Sequence, residues 1–323
     1  MTVSEQRQAL ISILNRGAVT SLFQPIVSTL EERIVGFEAL SRGPSDSPLH
    51  SPVTLFAAAR HHGILTELEM LCRDRAVSRF CDLNLPGKLF LNVSPESLLE
   101  HQHYPGRTLE ILQRNGLKPD QVVIELTEQA PIEDLSLLRS ALHHYRDMGF
   151  SIALDDLGAG YSSLRLWSEL QPEFVKIDRH FIDGIHRDPV KREFVASILH
   201  MAKASRACVI AEGIEQPEEL AVLEDIGIDW VQGYLLGRPD SHPRVDEIQL
   251  GERIGQSPSS VVDDAPIHSL LLPIPGVPDD TKVQTVLDSF QQQPTLNTLA
   301  IINEQGHPVG AVQRHALSHI MLK

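Results

Sequence analysis

The 323-residue sequence predicts an α/β fold, a (β/α)8 barrel with an antiparallel first strand, followed by a small C-terminal α+β unit. Three observations predict it. Eight short apolar runs fill the first 250 residues, segments of helical periodicity separate most of them, and the composition changes abruptly after residue 250. Strands apolar on both faces and separated by amphipathic helices make a parallel sheet covered by helices. Eight of them in about 250 residues suit a closed barrel, with a doubly wound open sheet as the alternative.

In order, the expected strands are Phe23 to Val27, Ile34 to Leu40, Lys88 to Val93, Val122 to Leu126, Ser151 to Leu154, Phe174 to Ile177, Cys208 to Ala211 and Trp230 to Val231. Only Ser28 to Arg33 joins the first two. That is too short for a crossover, so this pair must be a hairpin. Helical periodicity runs over Thr66 to Phe80, Thr108 to Arg114, Asp134 to Met148, Lys191 to Ser205 and Pro217 to Asp225, and Gly116, Gly149 and Gly227 stand just past three of these segments. Glycine is favoured there because the residue after a helix often takes a left-handed conformation. These elements assign residues 1–250 to the barrel. Residues 251–266, rich in Gly, Pro, Ser and Asp, read as a linker. Residues 267–323 form the second unit: a helix from Val283 to Gln292, strands at Leu299 to Asn303 and Val309 to Val312, and a closing helix.

Lys and Arg total 28 against 43 Asp and Glu, a formal net charge of −15. That balance argues against duplex nucleic-acid binding, which needs a basic footprint. No run approaches the roughly 20 apolar residues of a membrane span. The start of the chain lacks the basic-then-apolar layout of a secretory signal. Cys72, Cys81 and Cys208 are odd in number and widely spaced, as reduced thiols are, and the expected location is the cytoplasm.

Polar residues gather where a mere scaffold would not place them. Glu38, Asn92, Glu125, the doublet Asp155-Asp156, Lys176, Glu212 and Gln232 fall at or near the C-terminal ends of seven strands. A barrel brings these ends to one face, where its active sites are built. Carboxylates so crowded repel one another unless cations neutralise them. Oxygen donors without thiolates or imidazoles suit Mg²⁺ or Mn²⁺, and two such ions clamp the attacking and leaving oxygens of a phosphoryl displacement. Asp155-Asp156 can bridge the pair of ions, and Lys176 adds a fixed positive charge for the attacking water or the developing charge at phosphorus. A single strand-end Asp is more often a turn former or helix cap; seven strand ends following one rule are not explained that way.

These residues stand in blocks that resemble the EAL domain, a family of bacterial cyclic di-GMP phosphodiesterases. The blocks are Phe23-Gln-Pro-Ile-Val27, Gly36-Phe-Glu-Ala-Leu-Ser-Arg42, Leu91-Asn-Val-Ser94, Ile124-Glu-Leu-Thr-Glu128, Asp155-Asp-Leu-Gly-Ala-Gly-Tyr-Ser-Ser-Leu164, Val175-Lys-Ile-Asp178, Ala211-Glu-Gly-Ile-Glu215 and Gln232-Gly-Tyr234, in that order over residues 5 to 245. The resemblance implies a TIM-type barrel with an antiparallel first strand, a homodimer formed through it, and hydrolysis of cyclic di-GMP to linear pGpG with two Mg²⁺ or Mn²⁺ ions. By matching position, Glu38, Asn92, Glu125 and Asp155 would hold the first ion, and Asp155 and Asp156 the second. Lys176 would orient the attacking water, with Glu212 as ligand or general base; with Glu38 these form the catalytic set. Gln232 and Glu215 would complete the shell, Glu215 on the substrate side. Glu128 would fix the loop after the paired aspartates, and Gln24, Leu40 and Arg42 would hold the dinucleotide. Two departures stand out. Leu157 replaces the family's Phe after the aspartates, and Gly43-Pro44 replaces its aromatic after Arg42. No cyclase GGDEF block is found.

Val277 to Asp288 and Thr298 to Arg314 resemble the first motif of a CBS pair. That implies an adenine nucleotide or a protein partner at this unit, and a second motif from another copy or from a longer chain. Gln313 and Ala316 occupy the positions where such modules contact a ribose. Fifteen histidines include adjacent pairs such as His61-His62 and His143-His144, which point apart on a helix and make poor joint ligands. Gly158-Ala-Gly160 is too short for a dinucleotide fingerprint and suits a loop passing close to the ions. Two functions compete: a metal-dependent phosphodiesterase and a degenerate receptor that binds cyclic di-GMP without cleaving it. Retention of every expected ligand position favours the enzyme.

Overall fold

The computed structural model describes residues 2–99, 106–126, 135–158, 163–245, 276–292, 298–303 and 307–313. The chain divides into two compact units, residues 1–255 and 256–323.

Eight strands close the barrel of the first unit in sequence order: β1 (Thr20–Ser28), β2 (Arg33–Arg42), β3 (Lys88–Val93), β4 (Val122–Leu126), β5 (Ser151–Leu157), β6 (Phe174–Ile177), β7 (Cys208–Ala211) and β8 (Trp230–Val231). β1 pairs antiparallel with both neighbours, setting Gln24 opposite Glu38 on β2 and Val27 opposite Val231 on β8. The other adjacent pairs are parallel. The short β1–β2 connection therefore does what its length requires, and the closed barrel excludes the open-sheet alternative.

Helices α1 (Val3–Arg16), α2 (Pro52–His61), α3 (Leu65–Asp82), α4 (Pro95–Leu99), α5 (Gly106–Asn115), α6 (Leu135–Asp147), α7 (Ser163–Leu170), α8 (Arg179–Ile182), α9 (Pro189–Ser205) and α10 (Pro217–Ile226) lie along this unit. The five helices read from periodicity are α3, α5, α6, α9 and α10. α1 escaped that reading although Thr2 and Glu5 form a capping box at its start. α7 and the short α4 and α8 offered too few turns for a period to register, and α2 was not read although it is as long as α5 and α10. Gly116, Gly149 and Gly227 all have positive φ, and the Gly227 N–H donates to the carbonyls of Leu223 and Glu224 to close α10.

Apolar side chains plug the barrel. Ile26, Val35, Phe90, Val123, Ala153, Phe174 and Ile210 form a buried cluster, with Cys208 and Trp230 against it. Phe174 packs edge-on to Phe90 and tilted to Trp230, at centroid distances of 5.6 and 5.4 Å. Gly36 makes room for this layer: a Cβ there would lie 2.7 Å from the Lys88 carbonyl oxygen and 3.0 Å from the Phe90 ring.

In the second unit β9 (Gly276–Pro278) runs parallel to β10 (Thr298–Ile302), which pairs antiparallel with β11 (Pro308–Gln313). α11 (Val283–Gln292) places Val286 and Phe290 against Leu299 in a small core. β9 was not anticipated; three residues carry no period. The expected linker at 251–266 and the closing helix after Gln313 lie outside the described residues. No described helix is long and apolar enough to cross a membrane.

Candidate active site

On six strands the residue two places after a plug residue is polar: Asn92 follows Phe90, Glu125 follows Val123, Asp155 follows Ala153, Lys176 follows Phe174, Glu212 follows Ile210 and Gln232 follows Trp230. A two-residue period keeps both on the same face of the strand, so the barrel interior changes from apolar to charged in one step. Glu38 stands two places after Gly36. On the reversed β1, Gln24 stands two places before Ile26, opposite Glu38. β2 extends beyond its expected end at Leu40, but its pairing with β3 stops at Ala39. Glu38 is therefore at the rim.

β5 does something the alternation alone does not allow. It was expected to end at Leu154, yet it continues to Leu157 with its register to β6 shifted between Leu154 and Leu157. Asp156 has φ of 53°, in the left-handed region. An irregularity of this kind re-aims a side chain. Asp155 and Asp156 thus reach the same place, and oxygens of Asp155, Asp156 and Glu212 lie within 4.8 Å of one another. Among the described residues this is the one group of three or more His, Cys, Asp or Glu side chains so arranged.

Lys176 sits at the centre, 1% exposed. Its Nζ lies 3.1 Å from Glu38 Oε2, 2.8 Å from Glu125 Oε1, 3.2 Å from Asp155 Oδ1 and 2.5 Å from Glu212 Oε1. Burial alone would depress the lysine, but the four carboxylates overcome it and hold it charged, well above its ordinary value. Glu38 is the best-satisfied acid. Its Oε1 accepts from Asn92 Nδ2 at 3.0 Å and its Oε2 from Gln232 Nε2 at 2.8 Å. Burial pushes its carboxyl up, yet Lys176 and these amides outweigh burial and bring it below the ordinary range. The others go the opposite way. Burial, opposed by Lys176, drives Glu125 and Glu212 well up and raises Asp155. Asp156 rises to about 6, through burial first and then the charges of Asp155 and Asp178.

Five carboxylates thus face one ammonium. Glu125 Oε2 and Gln232 Oε1 are buried without a hydrogen-bond partner, and Glu125 Oε1, Asp155 Oδ1 and Glu212 Oε1 meet Lys176 without hydrogen-bond geometry. Unpaired buried oxygens are costly. An all-oxygen set with excess negative charge and free lone pairs fits hard divalent cations.

The remaining expected residues divide. Leu40 and Arg42 line a cavity of about 400 Å³ that opens beside Glu38, Asn92, Asp155 and Asp156. Glu215 is paired with Arg179 at 3.0 Å. Gln24 is already committed: its Nε2 donates to the Gly237 carbonyl at 3.1 Å and its Oε1 accepts from Gln232 Nε2 at 3.2 Å. In this structure it braces Gln232. Glu128 lies outside the described residues. Sequence reasoning missed Glu219, whose buried carboxylate accepts the N–H groups of Gly184, Glu215 and Gln216 at 2.9, 3.0 and 3.1 Å and pins the loop after Glu212. Its place three residues after Gln216, in a capping box, was a legible sign.

Comparison with known proteins agrees with this geometry. Residues 4–239 match the EAL domain. The chain belongs to the EAL family. The cyclic di-GMP phosphodiesterase PdeF of Escherichia coli K12 is 28% identical over 219 residues, which is 67% of this chain and 29% of PdeF. BluF of the same organism, a blue light- and temperature-regulated antirepressor, is 29% identical over 217 residues, 67% of this chain and 53% of BluF. This EAL chain therefore spans between about a quarter and a half of the length of the curated relatives it first matches. Among solved structures, Klebsiella pneumoniae BlrP1, in complexes of cyclic di-GMP with calcium or with manganese, is 34% identical. It superimposes with a TM-score of 0.64 over 69% of this chain and 56% of BlrP1.

Proposed function

We propose that this EAL chain hydrolyses one phosphodiester bond of cyclic di-GMP, giving linear 5′-pGpG, with two Mg²⁺ or Mn²⁺ ions in the barrel mouth. The observation that carries the reading is the convergence of Glu38, Glu125, Asp155, Asp156 and Glu212 on one rim with buried oxygens unpaired. Glu38, Asn92, Glu125 and Asp155 would hold one ion and Asp155 and Asp156 the other, with Glu212 and Gln232 completing the set. When bound, such ions supply an activated water and a charge clamp for in-line displacement at phosphorus.

The chain's own residues do the rest. Lys176, held charged among four carboxylates, presents a preorganised positive charge to the attacking water and to the charge that develops at phosphorus. Glu212 is the group suited to take the proton of that water, since burial raises its carboxyl well above its ordinary value and so makes its carboxylate a stronger base. Arg42 offers a planar fork for phosphate or a guanine edge at the cavity wall, Leu40 packs beside it, and Glu215 closes the substrate side. Gln24 acts on the dinucleotide only if the ligand displaces its bond to Gly237, and otherwise works through Gln232.

The test is nucleotide chromatography of cyclic di-GMP incubated with the protein and Mn²⁺ or Mg²⁺. Conversion to pGpG, abolished by chelation and by Glu38→Ala, is expected. Tight cyclic di-GMP binding with no product under either metal would establish the second reading, a receptor. That reading draws on the likeness to the antirepressor BluF. The proposal extends to a barrel homodimer acting in the cytoplasm. It also takes the C-terminal unit as a CBS-like half that receives an adenine nucleotide or docks a partner, so that removing residues 251–323 changes basal rate or association. Identical rates and association states would discard that role.

A further inference from the structure

In the wall of the cavity that Leu40 and Arg42 line lies a second ionic pair, to which the proposed chemistry gives no role. Glu69 and Arg73, one turn apart on α3, are 5% and 2% exposed, and Arg73 Nη2 donates to Glu69 Oε2 at 3.1 Å. The Glu69 carboxylate is also the acceptor for the backbone N–H of Ser94, at 3.2 Å to Oε1 and 3.4 Å to Oε2. Ser94 immediately follows β3 and stands two residues after Asn92. Arg73 is anchored in turn by Thr108 Oγ1 on α5, at 3.2 Å from Nη1. Ser94 Oγ accepts the Ser97 N–H at 3.2 Å and starts α4.

A buried ion pair of this kind is weak support for stability, because desolvation offsets most of its attraction. A geometric reason for it is at hand. The chain must leave the barrel at Ser94 and turn into α4. The single side chain that holds its N–H fixes where β3 ends, and hence where the Asn92 amide meets Glu38 Oε1. We propose that the Glu69–Arg73 pair is a positioning device for Asn92: Glu69 tethers the exit of β3 so that the Asn92 amide is presented to the cation set. The inference rests on the metal-binding part of the function proposed above, not on hydrolysis.

The experiment is calorimetric titration of the full chain with Mn²⁺, alongside thermal unfolding without metal. Variants are Glu69→Gln, the paired Glu69→Met/Arg73→Met, and each of these combined with Asn92→Ala. An amide loses the negative charge and turns one of the two oxygens into an NH2 donor that can accept from neither Arg73 nor Ser94, so it weakens the tether without removing it. The paired variant removes the tether while replacing both buried charges with apolar groups, which proteins often tolerate without loss of stability. Expected is an Mn²⁺ affinity weaker by about 10–100-fold in the paired variant, the usual effect of losing a group that orients a ligand. Glu69→Gln should fall in between, and neither change should weaken affinity further once Asn92 is alanine. Mn²⁺ affinity unchanged in a folded paired variant, or lost equally with and without Asn92, overturns the inference while leaving the metal site intact. A wild-type protein that binds no Mn²⁺ overturns the parent reading and this one with it. Binding of Mn²⁺ without hydrolysis sinks the enzyme alone.

Discussion

Two layers of the barrel interior lie two residues apart on the same strands and obey opposite physics. Phe90, Val123, Ala153, Phe174 and Ile210 make a buried apolar layer, whereas Asn92, Glu125, Asp155, Lys176 and Glu212 crowd charge into the next one. The lower layer is stabilised by being closed to water. The upper layer is held against its own repulsion, with burial driving Glu125, Asp155 and Glu212 toward protonation and Lys176 the largest influence opposing it. One layer carries the stability that the other consumes, the division expected where a site is strained for function.

Four substitutions or conditions test that division, from the largest expected effect to the smallest. Glu38→Ala should lower cyclic di-GMP turnover by at least about 10³-fold, the order seen when a preorganised polar group leaves a catalytic site. Unfolding measured beside turnover should show a loss of about 1–3 kcal/mol from the amides of Asn92 and Gln232 left without their acceptor; a loss as large as that of a core deletion would mean that Glu38 belongs to the supporting layer. Phe90→Ala should do the reverse, costing about 3–5 kcal/mol of unfolding free energy, read from denaturant melts. If it left stability intact and removed activity, the division would fail.

Glu125→Gln removes one buried like charge. In metal-free protein near pH 8 it should raise the melting temperature, by about 2–4 °C for each kcal/mol of repulsion relieved. With Mn²⁺ present that gain should disappear, because the wild-type carboxylate then has its cation; a gain equal in both conditions would argue against a cation there. The smallest effect concerns pH. Asp156 has a folded-state value of about 6, above its ordinary 3.8. The folded protein therefore binds the proton more tightly than the unfolded chain, and this group's contribution to metal-free stability declines as pH rises from about 4 through about 6. Cation binding needs the ionised form, so apparent Mn²⁺ affinity should climb over the same window. Titration at several pH values checks both slopes, and a flat affinity profile would remove Asp156 from the cation set.

Much of the barrel was legible because its rules are local. The short apolar runs fixed β3, β4, β6, β7 and β8 to the residue, and the short link after Ser28 fixed the antiparallel β1. The rim residues were legible because strand ends converge in a barrel. What stayed hidden depends on neighbours. That Asp155 and Asp156 both face the mouth follows from a register shift against β6 and a positive φ, neither of which a run of residues encodes. The bracing of Gln232 by Gln24 could not be read from the sequence, because the two are 208 residues apart. The role of Glu69 carries no local signal, because Ser94 is 25 residues away in sequence.

Phe90, Phe174, Ile210 and their apolar neighbours close the tube beneath the rim, in space that Gly36 leaves open. A vessel sealed at its base has its doorway at the rim, so a dinucleotide cleaved as proposed would depart where the cyclic one arrived. Linear pGpG would then hinder its own precursor at the threshold, and inhibition of the competitive type is the kinetic signature expected of that proposed reaction.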